Sequence, residues 1–367
     1  MTVAVGAGAG IDLLALHRLH PERYPFLLES VAPSATTGRY DLLFAFPGQA
    51  IDYRLSSGAD SAAQLTTDST TDASAFLQAL RFTDTTPAIE WLNPDVDPDG
   101  DPEIGPLPFY GGWFVYLGYE FSAALEGKLR LPASPHQLPD AFAVRCPAAV
   151  IVDRHRNRSY LVAEQVQTQI QSVNPLIAQM QVDLAAVRAV TETLCAAVTL
   201  PAFTLREEVP ARFLSGVSRI LEYLLAGDCF QANLSRRWDV AFAHAPDPTH
   251  VYSRLRDANP APFAGLVRWQ GSAVISSSPE RLVEMRGERL ETRPIAGTAP
   301  RSVDPHTDAA TRAALIASIK DRAEHVMLLD LERNDLGRVC APGSVRVAEL
   351  IEVESYALVH HLVSSVC

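Results

Sequence analysis

The sequence has no Gly-x-Gly-x-x-Gly fingerprint, no P-loop, no His-Glu-x-x-His and no Gly-x-Ser-x-Gly. Dinucleotide cradling, Walker-type nucleotide binding, zincin chemistry and the serine-hydrolase elbow are therefore all without sequence support. Cysteine is scarce. Cys146, Cys195, Cys229, Cys340 and Cys367 are odd in number, far apart and never in Cys-x-x-Cys spacing. That excludes a disulfide framework and a zinc knuckle, and predicts reduced thiols in a cytoplasmic protein. No apolar run approaches the ~20 residues of a membrane span. The segment from Met1 to Leu14 lacks a basic start and carries Asp12, which argues against a secretory signal. Internal repeats and low-complexity tracts are missing too. Excess positive charge is also lacking: the formal net charge is −12, which speaks against nucleic acid and anionic membranes as partners, though not against a small anion held in a locally basic site.

What remains is ordinary globular material. The 367 residues are 47% hydrophobic and 20% charged, enough for one large domain or two tightly joined halves. In the first half, Tyr24 to Ser30 leads into an apolar run, Gly38 to Phe46, that suits a buried strand. Asp72 to Leu80 reads as a short helix with Asp72 at its N-cap. Trp91 to Leu107 reads as loop. Within it, Asp95, Asp97, Asp99 and Gly100 imitate the opening of a calcium loop, but Pro106 stands where the bidentate Glu belongs, so a solvated acidic loop is the better reading. The aromatic stretch Pro108 to Glu120 predicts a buried strand. Ala148 to Asp153 and Ser159 to Ala163 predict a strand pair about the turn Arg154 to Arg158. A helix follows from Leu176 to Val198, with Leu176, Met180, Leu184, Val187 and Leu194 on one stripe.

Leu200 to Val209 reads as the linker, dividing the chain into regions 1–200 and 207–367. Pro210 then opens a helix with Phe213, Val217, Ile220, Leu221 and Leu224 facing inward, and Gly227-Asp228 closes it. Alternating strands and turns are expected from Cys229 to Thr298, one long helix from Asp308 to Leu331, and strands from Ser344 to Val366.

Candidate chemistry gathers in the second half. Ser276-Ser-Ser-Pro-Glu280-Arg281 and Thr292-Arg-Pro-Ile-Ala-Gly-Thr298 each end a strand, the second with small residues that admit a ligand close to the backbone. Lys320-Asp-Arg-Ala-Glu324-His325 puts charge on a helix, and His360-His361 lies in a final apolar strand. Taken singly, each has a plain structural reading. Glu280 and Arg281 would make a surface ion pair, Glu324 would pair with Lys320 one turn back, and the inward member of the two histidines would be a satisfied core residue. The residues alone lead no further than an α+β protein with a possible carboxylate–histidine site.

The order of segments adds more. Ala226-Gly-Asp-Cys-Phe-Gln-Ala-Asn-Leu-Ser235, Ser278-Pro-Glu-Arg281, Arg293-Pro-Ile-Ala-Gly-Thr298, Lys320-Asp-Arg-Ala-Glu324, Asp330-Leu-Glu-Arg-Asn-Asp-Leu-Gly-Arg338 and His361-Leu-Val-Ser364 together resemble the chorismate-utilising enzymes. Leu27-Leu-Glu-Ser30 and Gly111-Gly112 to Tyr119 extend the resemblance into the first half. It implies an α+β fold of two packed, mainly antiparallel sheets with outer helices, as in anthranilate synthase component I. It also implies that Glu280 protonates the leaving hydroxyl, that Glu324 holds Mg2+ against the ring carboxylate, that Ala296, Gly297 and Thr298 contact substrate, and that His361 orients it or handles a proton.

Within the family, Cys229 and His360 look like the branch that forms 4-amino-4-deoxychorismate for 4-aminobenzoate and folate. Ala296 looks like the anthranilate-forming branch, since the first branch carries a nucleophilic lysine there. Amination at C4 is the expectation, with anthranilate formation as the alternative. Either would draw ammonia from a separate glutaminase subunit, because nothing here resembles a glutaminase. Ser30, Pro260, Pro262 and Phe263 resemble a tryptophan pocket, expected to lie remote from Glu280. The family pattern continues past Ser364 into a Gly-Ser-x-Thr-Gly-Ala-Pro-Lys segment and a second metal-binding Glu. The chain is thus expected to be C-terminally truncated, with apolar surface left exposed; isochorismate or salicylate synthase is the third reading, and an inactive truncated remnant is the non-enzymatic alternative.

Overall fold

The computed structural model describes residues 2–8, 10–32, 38–55, 68–80, 89–91, 107–165, 174–194 and 199–367. The calcium-like acidic stretch, 95–106, lies outside them. The strands in chain order are β1 (Thr2–Gly8), β2 (Phe26–Glu29), β3 (Tyr40–Ala45), β4 (Ala50–Tyr53), β5 (Asp68–Thr70), β6 (Ile89–Trp91), β7 (Gly112–Leu117), β8 (Ala141–Cys146), β9 (Ala148–Asp153), β10 (Arg158–Glu164), β11 (Phe203–Glu207), β12 (Trp238–Phe242), β13 (Phe263–Trp269), β14 (Ser272–Ser278), β15 (Glu284–Arg286), β16 (Arg289–Glu291), β17 (Ile295–Pro300), β18 (Val347–Ser355) and β19 (Val359–Val366). The helices are α1 (Leu13–Leu19), α2 (Ala73–Ala79), α3 (Ser122–Leu125), α4 (Pro175–Leu194), α5 (Pro210–Ala226), α6 (Pro248–Ala258), α7 (Pro305–Ala317) and α8 (Ile319–Gly337). None of them is long and apolar enough to cross a membrane.

Met1–Cys195 and Tyr252–Cys367 form one compact unit, and Ala196–Val251 a second. The first unit is built on an eight-stranded sheet in the order β14-β13-β2-β3-β9-β10-β1-β6. The hairpin β13–β14 enters from late in the chain. Gln270 and Gly271 both take positive φ at its turn, the pattern of a two-residue hairpin loop, and β13 then zips onto β2 through Ala264↔Glu29 to Val267↔Phe26. Both sequence regions therefore share one sheet, and the compact units do not follow the 200–207 division.

One face of this sheet is covered by α1 and α4, whose Leu13, Leu16, Ile177, Met180, Leu184 and Val187 pack against Leu27, Leu43, Val150 and Leu161. The other face meets a four-stranded sheet, β5-β4-β8-β7. Aromatic rings fill that interface: Phe26 stacks on Phe114 at 4.1 Å, and Phe142 stacks on Trp269 at 4.2 Å. A separate three-stranded sheet, β17-β19-β18, follows later in the chain. Among the described residues the strand pairings are antiparallel except β1–β6 and β4–β5. The architecture is thus α+β with several antiparallel sheets, two of them packed face to face.

Local signals placed many boundaries correctly. The Asp72 carboxylate accepts from the Ser74 N–H at 2.8 Å and caps α2, as expected of an N-cap. Gly227 closes α5 with φ +77, the left-handed residue that commonly ends a helix. The strand pair β9–β10 stands where expected.

Other expectations are corrected. The stretch after Pro108 forms β7, an edge strand in which only Phe114 is buried. The proposed linker contains β11, which pairs with β12, a partner more than thirty residues away. The helix α6 interrupts the strands expected before Thr298, and the Asp247 carboxylate accepts from the Thr249 N–H at its start. The long helix is two helices, because Ser318 turns extended and its hydroxyl caps α8 at the Asp321 N–H. The last residues of the helix expected to Val198 lie outside the description. In the second unit Phe213, Val217, Ile220 and Leu224 are half-buried, and Leu221 is exposed. Leu282, Met285, Val326, Val339 and Leu350 of the first unit are also exposed.

Candidate active site

The site grows from one irregular strand pair. On β17 the step from Ile295 to Thr298 covers three residues, while the facing step on β19, from Val363 to His361, covers two. The extra residue makes a bulge. Gly297 supplies it with φ +95, and a Cβ built there would lie 2.9 Å from Leu362 Cδ1 and 3.3 Å from Asp321 Cβ. Glycine is required on both counts. Gly297→Ala is expected to destabilise the protein by about 2–4 kcal/mol, combining backbone strain with overpacking. Urea unfolding measures it, and an unchanged midpoint would rule the constraint out. Around the bulge Ala296 is buried and Thr298 is exposed.

Thr298 and His361 face each other across the two strands, with Oγ1 and Nδ1 2.8 Å apart. Burial holds the His361 pKa below the ordinary imidazole value, against an upward pull from Glu354. The neighbouring His360 is buried as well. Its Nε2 meets Asp308 at 3.1 Å and its Nδ1 meets Ser355 Oγ at 2.7 Å. One inward histidine was expected from strand alternation. Both are enclosed: helix α7 carries Asp308 to His360, and Thr298 of the paired strand β17 meets His361.

Glu280 follows β14 in a short turn in which the Ser278 hydroxyl donates to the Glu280 carbonyl. It does not pair with Arg281, which instead joins Glu284 and Glu291 of the β15–β16 hairpin. The Glu280 Oε1 accepts from the Ile295 N–H at 2.8 Å, so its carboxyl stands at the start of the bulged strand. Although the residue is solvent-accessible, burial of the carboxyl is the largest influence on it and raises its pKa. The Ile295 N–H works the other way, and Glu332 raises it further. A neutral carboxylic acid needs only one oxygen to accept from Ile295 and keeps its proton on Oε2.

Helix α8 closes the arrangement. Asp321 and His325 are one turn apart and both meet β17: Asp321 beside Gly297, and His325 through its Nδ1, 3.1 Å from the Ala296 carbonyl. Glu324, one residue before His325 on α8, is half-buried. Among the described residues no group of three or more His, Cys, Asp or Glu is placed to hold a metal.

Two residues that sequence reasoning did not single out also belong here. Arg293 is buried and holds Glu349, Glu354 and Ser365 of β18 and β19, while Tyr356 donates to Glu354. Arg293 opens the Arg-Pro-Ile-Ala-Gly-Thr segment, so the signal was present but read only as part of the string.

Three hollows surround these groups. Glu280, Arg293, Ile295, Glu354 and Tyr356 line a small cleft. A cavity of about 170 Å³ is walled by Pro260, Pro262, Ser277, Tyr356 and His361. A wider cleft of about 500 Å³ is lined by Ser30, Tyr40, Pro262, Phe263, Arg281 and Arg39 among others. Ser30, Pro262 and Phe263 thus share one hollow, whereas Pro260 opens onto the His361 side. The Ser30 cleft is not remote from Glu280, because Phe263 and Arg281 stand in its wall and in the wall of the Glu280 cleft. Beneath it Glu29 is buried and accepts from the Tyr252 hydroxyl and from Arg256.

Residues 40–367 match the family described as chorismate binding enzyme. Over 267 residues the chain is 39% identical to aminodeoxychorismate synthase component 1 of Klebsiella aerogenes, covering 71% of this chain and 54% of that protein. It is 37% identical over 276 residues to anthranilate synthase component 1 of Streptomyces coelicolor, covering 72% of this chain and 53% of the relative. The chain spans about half the length of these relatives. Anthranilate synthase component I from Streptococcus pneumoniae TIGR4 superimposes with a TM-score of 0.65 at 23% identity, over 91% of this chain and 69% of that one, which extends the likeness to the fold. With its bulged floor, adjoining carboxyl groups and matching segments in one order, the chain belongs to the chorismate binding enzyme family.

Proposed function

We propose that the protein aminates chorismate, giving 4-amino-4-deoxychorismate on the route to 4-aminobenzoate and folate in the cytoplasm. The observation that carries the reading is the setting of Glu280. Its carboxyl is pushed toward the acid form and sits against Ile295, the first residue of the bulged strand. Loss of the C4 hydroxyl from chorismate needs a proton, because hydroxide is a poor leaving group, and a carboxyl with a raised pKa suits the donor's role. Ala296, Gly297 and Thr298 form the floor beneath the ring, and His361, held by Thr298, orients the substrate or relays a proton.

Glu324 is assigned to Mg2+. One protein carboxylate is compatible with this ion, which keeps much of its water shell and shares substrate oxygens. When bound, the metal neutralises and fixes the ring carboxylate. Ammonia comes from a separate glutaminase subunit, in keeping with the component naming of the relatives. The Ser30 cleft, with Pro262 and Phe263, is the place assigned to tryptophan.

The test is product identification. The full-length gene product supplied with chorismate, Mg2+ and ammonium should yield 4-amino-4-deoxychorismate, which an added lyase converts to 4-aminobenzoate. Anthranilate as product would transfer the protein to a second reading, which Ala296 favours. That reading has ammonia attack C2 directly, with no lysine to occupy that carbon first.

Ala296→Lys separates the two. In a C4-aminating site the new amine adds at C2 as the C4 hydroxyl leaves as water, so the protein should gain the mass of chorismate less one water. Because Ala296 is buried, some loss of stability accompanies the change. A folded variant with no adduct and a reduced rate would show a site shaped for attack at C2.

A further inference from the structure

His325 is wholly enclosed, and its two ring nitrogens have different partners. Nδ1 lies 3.1 Å from the Ala296 carbonyl oxygen, and Nε2 lies 2.7 Å from the Ser364 hydroxyl oxygen. A carbonyl can only accept, so Nδ1 carries a proton. The Ser364 oxygen already accepts from the Ile351 N–H at 2.9 Å. Its own proton is free to point at Nε2, which then accepts as the bare nitrogen of a neutral ring. Every donor in this series has an acceptor: Ile351 N–H to Ser364, Ser364 O–H to His325, and His325 Nδ1–H to Ala296.

Both ends of the series are irregular backbone. Ile351 has φ +54, an uncommon conformation for a β-branched residue, at a shift in the β18–β19 register between Glu349 and Glu352. Ala296 immediately precedes Gly297 at the bulge of β17. The peptide between Ala296 and Gly297 is planar, so anchoring its carbonyl also sets the direction of the Gly297 N–H. The same ring rises from α8 one position after Glu324, so one buried contact ties helix and floor together.

We infer that His325, in its Nδ1–H tautomer, is a positioning residue that fixes the Ala296–Gly297 peptide plane and thereby shapes the chorismate floor. The inference rests on the chorismate reading for its ligand, but not for its geometry. Removal of the ring leaves the buried Ala296 carbonyl without its donor, and the bulge is then free to turn. Asparagine reaches about as far as Nδ1 with an N–H donor, whereas glutamine places its amide nearer Nε2. The two variants therefore keep different arms of the series.

The experiment compares His325→Asn, His325→Gln and His325→Leu with the parent. Chorismate affinity is read by calorimetry in the presence of Mg2+, and thermal melting confirms that each variant is folded. Asparagine should bind within about threefold of the parent, and glutamine and leucine about tenfold or more weaker, the scale of one lost hydrogen bond to a buried group. Equal affinity in all folded variants, or Gln binding better than Asn, would overturn the assignment.

Selective 15N labelling of histidine gives a reading that needs no ligand. His325 should show a protonated Nδ1 and a bare Nε2, and the opposite tautomer would sink the inference outright. A parent protein that binds no chorismate while showing the expected tautomer would count against the substrate reading and support the geometry.

Discussion

Replacing Glu280 with glutamine is expected to lower chorismate turnover about 10²–10⁴-fold, the usual share of a general acid, while chorismate stays bound. Glutamine keeps an oxygen that accepts from the Ile295 N–H, as Glu280 Oε1 does at 2.8 Å, and it keeps the shape of the side chain. It lacks only the transferable proton. Burial is the main cause of the raised Glu280 pKa, with Glu332 adding to it. The acid form therefore persists to higher pH than an ordinary glutamic acid allows. Activity that depends on this acid should be full below the raised pKa and decline as pH rises through it, and the glutamine variant should lack that limb. Initial rates across pH, together with calorimetric binding, check both parts. A Glu280→Gln protein within tenfold of parental turnover would remove Glu280 from the acid role.

The largest effect on stability should come from Phe142→Ala, at about 3–5 kcal/mol. Phe142 is fully buried on β8. Its ring stacks on Trp269 of the eight-stranded sheet at 4.2 Å and on Tyr116 of β7 at 5.0 Å. Truncation opens a cavity between two sheets, and neither can close it without breaking strand pairs elsewhere. The lost stacking adds to the lost burial. In urea the midpoint should fall with little change in slope, since the surface exposed on unfolding is nearly the same. A loss under about 1 kcal/mol would mean that the interface repacks and that these rings do not clamp the sheets.

Glu280 and the small-residue run from Ala296 to Thr298 could be singled out in the sequence because each belongs to a short contiguous string. Ser278-Pro-Glu-Arg281 and Arg293-Pro-Ile-Ala-Gly-Thr298 keep order and spacing along the chain, so the resemblance could be read without three-dimensional information. The structure brings the two strings together through the Ile295 N–H and Glu280, a contact that neither string announces. His325 sits inside a segment already marked by Glu324, and its i, i+4 relation to Asp321 put it on the same helix face. Its partners, Ala296 and Ser364, lie 29 and 39 residues away, and no local pattern points to them. The four tryptophan-pocket candidates divided for the same reason. Pro260 lines the His361-side cavity, whereas Pro262, two residues on, lines both that cavity and the Ser30 cleft.

Whatever depends on the backbone of a few neighbouring residues was determined by the sequence itself. Asp72 caps a helix because its carboxylate reaches an N–H two residues on. Gly227 ends one because it alone tolerates φ +77 without cost. Asn157 and its polar neighbours turn β9 into β10. What depends on a distant partner was decided only in the tertiary structure. β7 is an edge strand rather than a buried one because no further strand pairs beyond it among the described residues. β11 is a strand because β12 returns to meet it. Both histidines of the last strand are enclosed because the fold brings Asp308 of α7 to His360 and Thr298 of the paired strand β17 to His361. Propensity acts along the chain over one or two turns, whereas burial and pairing depend on what the rest of the fold brings alongside.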